Sequence, residues 1–349
     1  MSEVRIGEHT VGAGHPPFVI AEMSGNHNGD LDRALAIVDA VADSGAHAVK
    51  LQTYRADTIT IDVDRPEFRI DNEASLWHGE NLYRLYERAH TPWEWHERLF
   101  ARARERGLEV FSSPFDPTAV ELLESLDACA YKIASSEIVD LPLIELCART
   151  GKPLVISTGK ATIAEIDAAV RTAREAGNEQ ILLLGCTASY PAPAGDSNLR
   201  ALPVLEQAFG VPVGLSDHTM GIGVPVAAVA LGACAVEKHV TLARDDGGVD
   251  SAFSLEPHEL AALVTETQRA WEALGVPRIG PKASERGGLR LRRSLYVVED
   301  VRAGEPVTEH NVRSIRPSGG LPPAEITTVL GRTFRVDAAK GTPLTWDLL

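Results

Sequence analysis

The chain has 349 residues, of which 44% are hydrophobic and 24% charged, and its formal net charge is −15. That length suits one large α/β barrel with a small appendage. The near-average composition and the lack of an apolar run of roughly 20 residues set disordered and membrane classes aside. The negative charge argues against a nucleic-acid surface, and it obliges any anion-binding site to build a local positive pocket against the protein's own field.

The first residues, MSEVRIGEHTVGAG, have neither the apolar core of a signal peptide nor an Arg-rich amphipathic pattern, so a cytoplasmic location is expected. From there to about residue 275, short β-branched runs alternate with helical stretches, the pattern of a parallel sheet with crossover helices. The runs are residues 17–22, 46–53, 108–113, 129–135, 153–158, 180–187, 211–217 and 234–240. Helical patterns between them include Leu31 to Ser44, Pro117 to Ser125, Ile163 to Ala176 and Val224 to Leu231. Eight βα units in succession predict a closed (β/α)8 TIM barrel over residues 1–277.

Two stretches break the rhythm. Residues 54–92 form a long connection after the second strand, where the run NLYRLYERAHTPWEWHERLF is helical with aromatics at helical spacing and reads as core packing of a lid or extra helix. Residues 278–292 replace the alternation with Gly, Pro and charge and read as an interdomain linker. Residues 293–349 then form a compact β-rich segment, small enough to lean on the barrel or on another subunit. Cys129, Cys147, Cys186 and Cys234 are widely spaced and form no C-x-x-C pair, so they read as buried thiols.

Catalytic side chains of such a barrel lie at the C-terminal ends of its strands. Those ends carry Glu22; Lys50 and Gln52; Ser112 and Ser113; Lys132, Ser135 and Glu137; Ser157 and Thr158; Thr187 and Tyr190; Ser216, Asp217 and His218; and Glu237, Lys238 and His239. Alternate residues share a face, which pairs Lys50 with Gln52 and Glu237 with His239. Two lysines and several hydroxyls at one mouth offer the positive, donor-rich pocket that a phosphorylated carboxylate needs. His218 and His239, from neighbouring strands, with Glu22 at the same mouth, could hold a divalent metal and leave positions open for water and substrate.

These motifs resemble the sialic acid synthase family, which comprises N-acetylneuraminate, legionaminate and pseudaminate synthases. The resemblance rests on IAE (20–22), NHNG (26–29), VKLQT (49–53), SSPFD (112–116), YKIASSE (131–137), ISTG (156–159), CTASYPAP (186–193), GLSDHTMGI (214–222), LGACAVEKH (231–239) and GGVDSAFSLEP (247–257). The tail resembles the family's antifreeze-like, or SAF, domain through RRSL (292–295), IRP (315–317) and LTWD (344–347). Position by position, the resemblance implies that Lys50, Gln52, Ser113, Lys132, Ser135, Ser157 and Ser216 bind phosphoenolpyruvate. It further implies that His218 and His239 are ligands of a metal, Mn²⁺ in the first instance with Mg²⁺ or Co²⁺ possible, and that Glu22 acts on the metal-bound water. Glu137, Tyr190 and Asp250 match sugar-contacting positions. Arg316 matches an SAF-domain arginine that reaches the partner subunit's site, which implies a domain-swapped homodimer. Val249, where the family has proline, the variant Met23-Ser24-Gly25 and Ala188 depart from the pattern and bear on the choice of sugar.

The implied reaction joins the enol carbon of phosphoenolpyruvate to the aldehyde of an acetamido sugar, adds water at the phosphate-bearing carbon and releases phosphate by C–O cleavage. The run LYRLYERAHTPWEWH with DSAFS looks most like pseudaminate synthases, which use 2,4-diacetamido-2,4,6-trideoxy-L-altrose. N-acetylneuraminate and legionaminate synthases are the alternatives within the family. A Schiff-base aldolase using Lys132 or Lys50, or a non-catalytic SAF-type binding protein, would leave the histidine pair without a purpose.

Overall fold

The computed structural model describes residues 3–73 and 75–349, which separate into two compact units, Met1–Gly275 and Val276–Leu349. The first unit starts with a short antiparallel hairpin, β1 (Val4–Ile6) and β2 (His9–Val11). Eight parallel strands then close a barrel: β3 (Phe18–Glu22), β4 (Ala48–Thr53), β5 (Glu109–Pro114), β6 (Tyr131–Ile133), β7 (Leu154–Ser157), β8 (Ile181–Cys186), β9 (Val213–Asp217) and β10 (Ala235–His239). Each lies within one of the eight runs read from the sequence, apart from Pro114, one residue beyond its run. The barrel closes by pairing β10 with β3.

Helices fill the crossovers, and several start where a side chain caps them directly after a strand. Asp30 accepts from the amides of Asp32 and Arg33 to open α1 (Leu31–Asp43). After α2 (Ala56–Ile59), α3 (Leu82–Ala89) and α4 (His96–Glu105), Asp116 caps α5 (Pro117–Ser125), with Pro117 at the first helical position. Asp140 caps α6 (Leu141–Arg149), and Thr162 with Glu165 forms a reciprocal box at the start of α7 (Ile163–Glu175). Each cap satisfies amides that a helix end leaves without partners. The ring is completed by α8 (Leu202–Phe209), α9 (Gly223–Ala230) and α10 (Pro257–Leu274). None of the helices among the described residues is long and apolar enough to cross a membrane.

Strand alternation divides the barrel into layers. Val19, Ala21, Val49, Leu51 and Val236 face outward into the core between strands and helices. Phe18, Ile20, Ala48, Phe111, Val155, Leu182 and Ala235 face inward and pack with Val4, Ile6 and Val11 of the hairpin. The sequence reading did not anticipate this hairpin, because three-residue strands carry too little periodicity to stand out. It is tied down by hydrogen bonds from the Arg5 amide to Gln180 (3.0 Å) and from the Glu8 amide to Glu109 (2.7 Å).

The same alternation corrects the census of strand ends. Ser112, Asp217 and Lys238 do not face the interior with their neighbours. Ser112 shares a 2.6 Å hydrogen bond with Thr53, which meets His96 of α4 at 2.8 Å. Lys238 donates to Asp217 at 2.5 Å and to the Thr219 carbonyl, with both charged side chains almost fully buried.

The β structure of the second unit centres on one antiparallel pair, β11 (Ser294–Val297) and β12 (Val312–Ile315). Isolated bridges (Val301 with Ala338, Pro306 with Thr333) and short helical turns supply the rest around a core of Leu295, Val297, Val307, Val312, Phe334 and Leu344. Within the stretch read as a linker, Ala283–Leu291 forms 3-10 turns, and the Arg290 carbonyl accepts from the Ser318 amide at 2.8 Å.

Because Asp217 would remain buried without its cation, Lys238→Met should destabilise the barrel by roughly 3–5 kcal/mol, whereas Lys238→Met combined with Asp217→Leu should recover most of that loss. Urea denaturation followed by tryptophan fluorescence measures both, and an equal loss in the two variants would assign the pair a geometric rather than an electrostatic role.

Candidate active site

Above the apolar interior lies a layer of charge. Strand register sets Glu22 between His239 on one side and Lys50 on the other, and sets Gln52 beside Ser113 and Glu237 beside Ser216. The Lys50 ammonium forms a buried ion pair with Glu22, lies 3.9 Å from Glu237 and donates to Ser113 Oγ at 3.3 Å. Lys132 donates to Ser157 Oγ at 2.7 Å and to the Ile133 carbonyl at 3.0 Å. Ser216 donates to Glu237 at 3.2 Å, and Ser135 Oγ accepts from the Gly159 amide at 3.1 Å.

Two carboxylates and two ammonium groups thus share a region nearly without water, and burial acts on each. It pushes the Glu22 carboxyl up to about 7, against the opposing pull of Lys50. Burial also opposes ionisation of Glu237, but Lys132 and then Lys50 overcome it and hold that carboxyl below its ordinary range. Desolvation lowers Lys132, whereas Lys50, also opposed by burial, is raised by Glu22 and Glu237. This layer offers convergent donors to an incoming anion, together with a carboxyl that can exchange a proton near neutral pH.

At the rim, His218 and His239 stand with ring centroids 5.3 Å apart. Burial brings His218 down to about 4, and burial with His218 alongside lowers His239 well below its ordinary value, so both rings are neutral at pH 7. His218 Nδ1 lies 3.0 Å from the Thr187 carbonyl, which only a protonated Nδ1 can satisfy, leaving Nε2 with its lone pair. His239 Nδ1 is buried without a hydrogen-bond partner. Among the described residues no group of three His, Cys, Asp or Glu side chains forms a complete cation site.

A cavity of about 260 Å³ opens beside His239 and is lined by Ser24, Gln52, Tyr190, Asp250 and residues of the 54–92 connection. Tyr190 packs at 4.5 Å from the His218 ring and 6.5 Å from that of His239. Ser24 donates to Asp250, whose carboxyl burial raises to about 6 although that hydrogen bond opposes the rise. Ser24 adopts a left-handed φ of 48°, and its amide donates to Glu22 at 2.9 Å, so the turn after β3 couples the carboxyl layer to the cavity. Asn26 donates to the Val240 carbonyl (2.8 Å) and Ser254 Oγ (2.9 Å), bracing the loop that carries Asp250. Gly248 in that loop has φ +134°, and a Cβ there would meet Asn28 Oδ1 at 2.6 Å, so glycine is required. A larger cleft of about 710 Å³, sharing Trp77 and Val249 with the cavity, contains none of the buried ionic groups.

Of the residues singled out from sequence, Glu22, Lys50, Ser113, Lys132, Ser157 and Ser216 meet in or against the charged layer. Gln52, Tyr190, Asp250 and His239 line the cavity. Glu137 is half-buried after β6, its carboxyl raised by burial, and Arg316 follows β12 in the second unit with its side chain exposed. Sequence reasoning gave no role to Glu237, the counter-ion of both lysines, although its position two residues before His239 marked it as inward-facing. It also missed Ser24 and the cavity-lining side chains of the connection.

Comparison with known proteins follows the same outline. The sequence pattern of the NeuB family matches residues 37–278, and that of the SAF domain matches residues 292–349. A pseudaminic acid synthase of Helicobacter pylori is 44% identical over 334 residues, covering 95% of this chain and 97% of that protein. An N,N'-diacetyllegionaminic acid synthase of Legionella pneumophila is 36% identical over 336 residues, covering 95% and 94%. The solved N-acetylneuraminic acid synthetase of Leptospira borgpetersenii matches with a TM-score of 0.73 at 34% identity, covering 82% of this chain and 95% of that one.

Charge sets the expected response of the layer to an anion. Lys132→Met should weaken binding of inorganic phosphate by about tenfold or more, the scale of one lost charge-assisted contact. Glu237→Gln, which removes a competing negative charge, should strengthen it. Isothermal titration of the two variants gives opposite signs if the layer is the anion site and no change if it is not.

Proposed function

The chain belongs to the NeuB family and carries its SAF domain, and on that premise we propose that it is a nonulosonic acid synthase, in particular a pseudaminic acid synthase. It would condense phosphoenolpyruvate with 2,4-diacetamido-2,4,6-trideoxy-L-altrose and water, releasing phosphate. The observation that carries the reading is the buried layer of Glu22, Lys50, Lys132 and Glu237, with Glu22 in register beside His239, which in turn lines a cavity of about 260 Å³. The more distant identity to a legionaminic acid synthase makes that sugar the second choice, and N-acetylneuraminate synthesis the third.

In this reading Lys50, Lys132, Gln52, Ser113, Ser135, Ser157 and Ser216 bind and orient phosphoenolpyruvate. The ammonium groups offset its negative charge, and the hydroxyls fix its rotation. Before the anion arrives, Glu237 and Glu22 offset the charge of Lys50. As the enol carbon bonds to the sugar aldehyde, positive character develops at the phosphate-bearing carbon, to which water adds. The Glu22 carboxylate accepts the proton of that water, a role suited to a group poised near neutrality. Phosphate then leaves with its bridging oxygen. Glu137, Tyr190 and Asp250 hold the sugar.

His218 and His239 fit a divalent metal, for the rings are neutral and adjacent, and each neutral ring keeps one nitrogen lone pair; His239 Nδ1 makes no hydrogen bond, with the Asp250 carboxyl 3.6 Å away. Mn²⁺ is the first choice, with Mg²⁺ or Co²⁺ as alternatives, and when bound it would supply the Lewis acidity that polarises the aldehyde. Water and substrate oxygens would have to complete its ligands. The four cysteines are free, which suits a reducing cytoplasm.

A panel of amino-sugar aldehydes assayed for phosphate release from phosphoenolpyruvate tests the proposal. Turnover should be fastest with the trideoxy sugar, abolished by chelation and restored by Mn²⁺. Release of phosphate with none of the sugars, or trapping of pyruvate on Lys132 by borohydride, would replace the synthase with another chemistry.

The partner subunit is part of the same reading. The SAF-domain resemblance assigns Arg316 to the site of a second chain in a domain-swapped homodimer, where its guanidinium fork would bind acetamido or hydroxyl oxygens. Neither Arg316→Ala nor Glu22→Gln should turn over alone. After subunit exchange, a mixed dimer has one site with both lesions and one with neither, so activity should reappear. Lack of recovery in a verified heterodimer would restrict Arg316 to its own chain.

A further inference from the structure

The connection over residues 54–92 supplies half of the residues that line the cavity, Tyr54, Ile70, Trp77, Leu85, Tyr86 and Ala89. Its helix α3 turns Leu85, Tyr86 and Ala89 toward the cavity, and Ile70 joins them. The barrel side of the same cavity is polar, with Ser24, Gln52, His239 and Asp250. The barrel side can therefore exchange hydrogen bonds with a sugar, and on the connection side, among the rings of Tyr54, Trp77 and Tyr86, the side chains of Ile70, Leu85 and Ala89 offer only apolar surface.

The connection side is held in place. The Trp77 indole donates to the Val249 carbonyl at 3.1 Å, fastening the connection to the Asp250 loop, and the Trp77 ring lies 5.6 Å from Tyr190. Tyr54, itself buried, sets its ring edge-on to Tyr86 at 5.7 Å. At the end of α3, the Ala89 carbonyl lies so near Gly25 that a Cβ there would approach it to 3.0 Å, leaving no slack between the helix and the turn after β3. A wall held against Val249, Tyr190 and Gly25 can discriminate by shape and polarity, since it cannot retreat to accommodate a hydrated group.

Resting on the synthase reading, we propose that the 54–92 connection is the specificity element for the sugar, and that Ile70, Leu85 and Ala89 form an apolar seat for its methyl-bearing terminal carbon. The reacting aldehyde belongs beside His239, and the hydroxyl and acetamido oxygens find donors and acceptors among Ser24, Gln52 and Asp250. The carbon without oxygen is the group left for the apolar wall. A terminal hydroxymethyl would bring a hydroxyl against side chains that cannot accept or donate, which disfavours it by a factor of up to about a hundred, the ceiling for an apolar pocket rejecting an added hydroxyl.

The test compares the 6-deoxy diacetamido aldehyde with its 6-hydroxylated counterpart in the full-length enzyme. Leu85→Asn, with the same branching and number of side-chain heavy atoms but able to hydrogen-bond, should shift the ratio of kcat/KM values at least tenfold toward the hydroxylated sugar while leaving the KM for phosphoenolpyruvate unchanged. Ile70→Thr, at a less buried position, should shift it in the same direction and decides the question if Leu85→Asn does not fold. An unchanged ratio, in an enzyme whose wild type does turn over the deoxy sugar, overturns the specificity role. Failure of the wild type to use any amino sugar overturns the synthase reading instead.

Discussion

Burying four ionisable groups side by side is the constraint around which the barrel is organised. Glu22, Lys50, Glu237 and Lys132 are each 5% exposed or less, and such charges survive out of water only when opposite signs are near and geometry is fixed. Strand register supplies the fixing, since the backbone ladder of β10, β3 and β4 sets His239, Glu22 and Lys50 in one row. The apolar layer below, closed by the N-terminal hairpin, excludes water from the foot of the barrel. Low local polarity in turn makes each charge strongly felt by its neighbours.

Under the proposed function, the layer would also reconcile an acidic protein with an anionic substrate. With a net charge of −15, the long-range field repels anions. The positive groups are withdrawn from that field and act at short range, where two carboxylates temper them until a ligand arrives. The outward-facing pair Lys238 and Asp217 has a different duty. It lies on the same strands, one residue out of phase, and ties β10 to β9 on the side facing the helices.

How much of this was legible in the sequence depended on how local the governing interaction is. The eight strands were readable because short β-branched runs recur between helical patterns. Inward-facing Lys50, Gln52 and His239 were readable from period-two alternation. The hairpin escaped because Val4, Ile6 and Val11 gain their meaning only when they meet Phe18 and Ala235 inside the barrel. Glu237 escaped as an ion-pair partner because its proximity to Lys50 joins β10 to β4 across most of the intervening barrel sequence. The connection after β4 showed aromatics at helical spacing, but periodicity cannot tell a side chain packed in a core from one lining a cavity. That distinction required seeing residues 70, 85 and 250 around one space.

The separation of the cavity into a barrel-derived polar side and a connection-derived apolar side has an evolutionary consequence. Register and buried charge bind the strand residues to one another, so a change at one of them propagates through the row. The connection is under no such obligation, because it is anchored at a few points and can be lengthened, shortened or repolarised between them. Under the proposed function, a fold built this way could change its acceptor sugar through one segment while the buried ionic row stays as it is. Diversity of product and constancy of chemistry then have separate addresses along the chain.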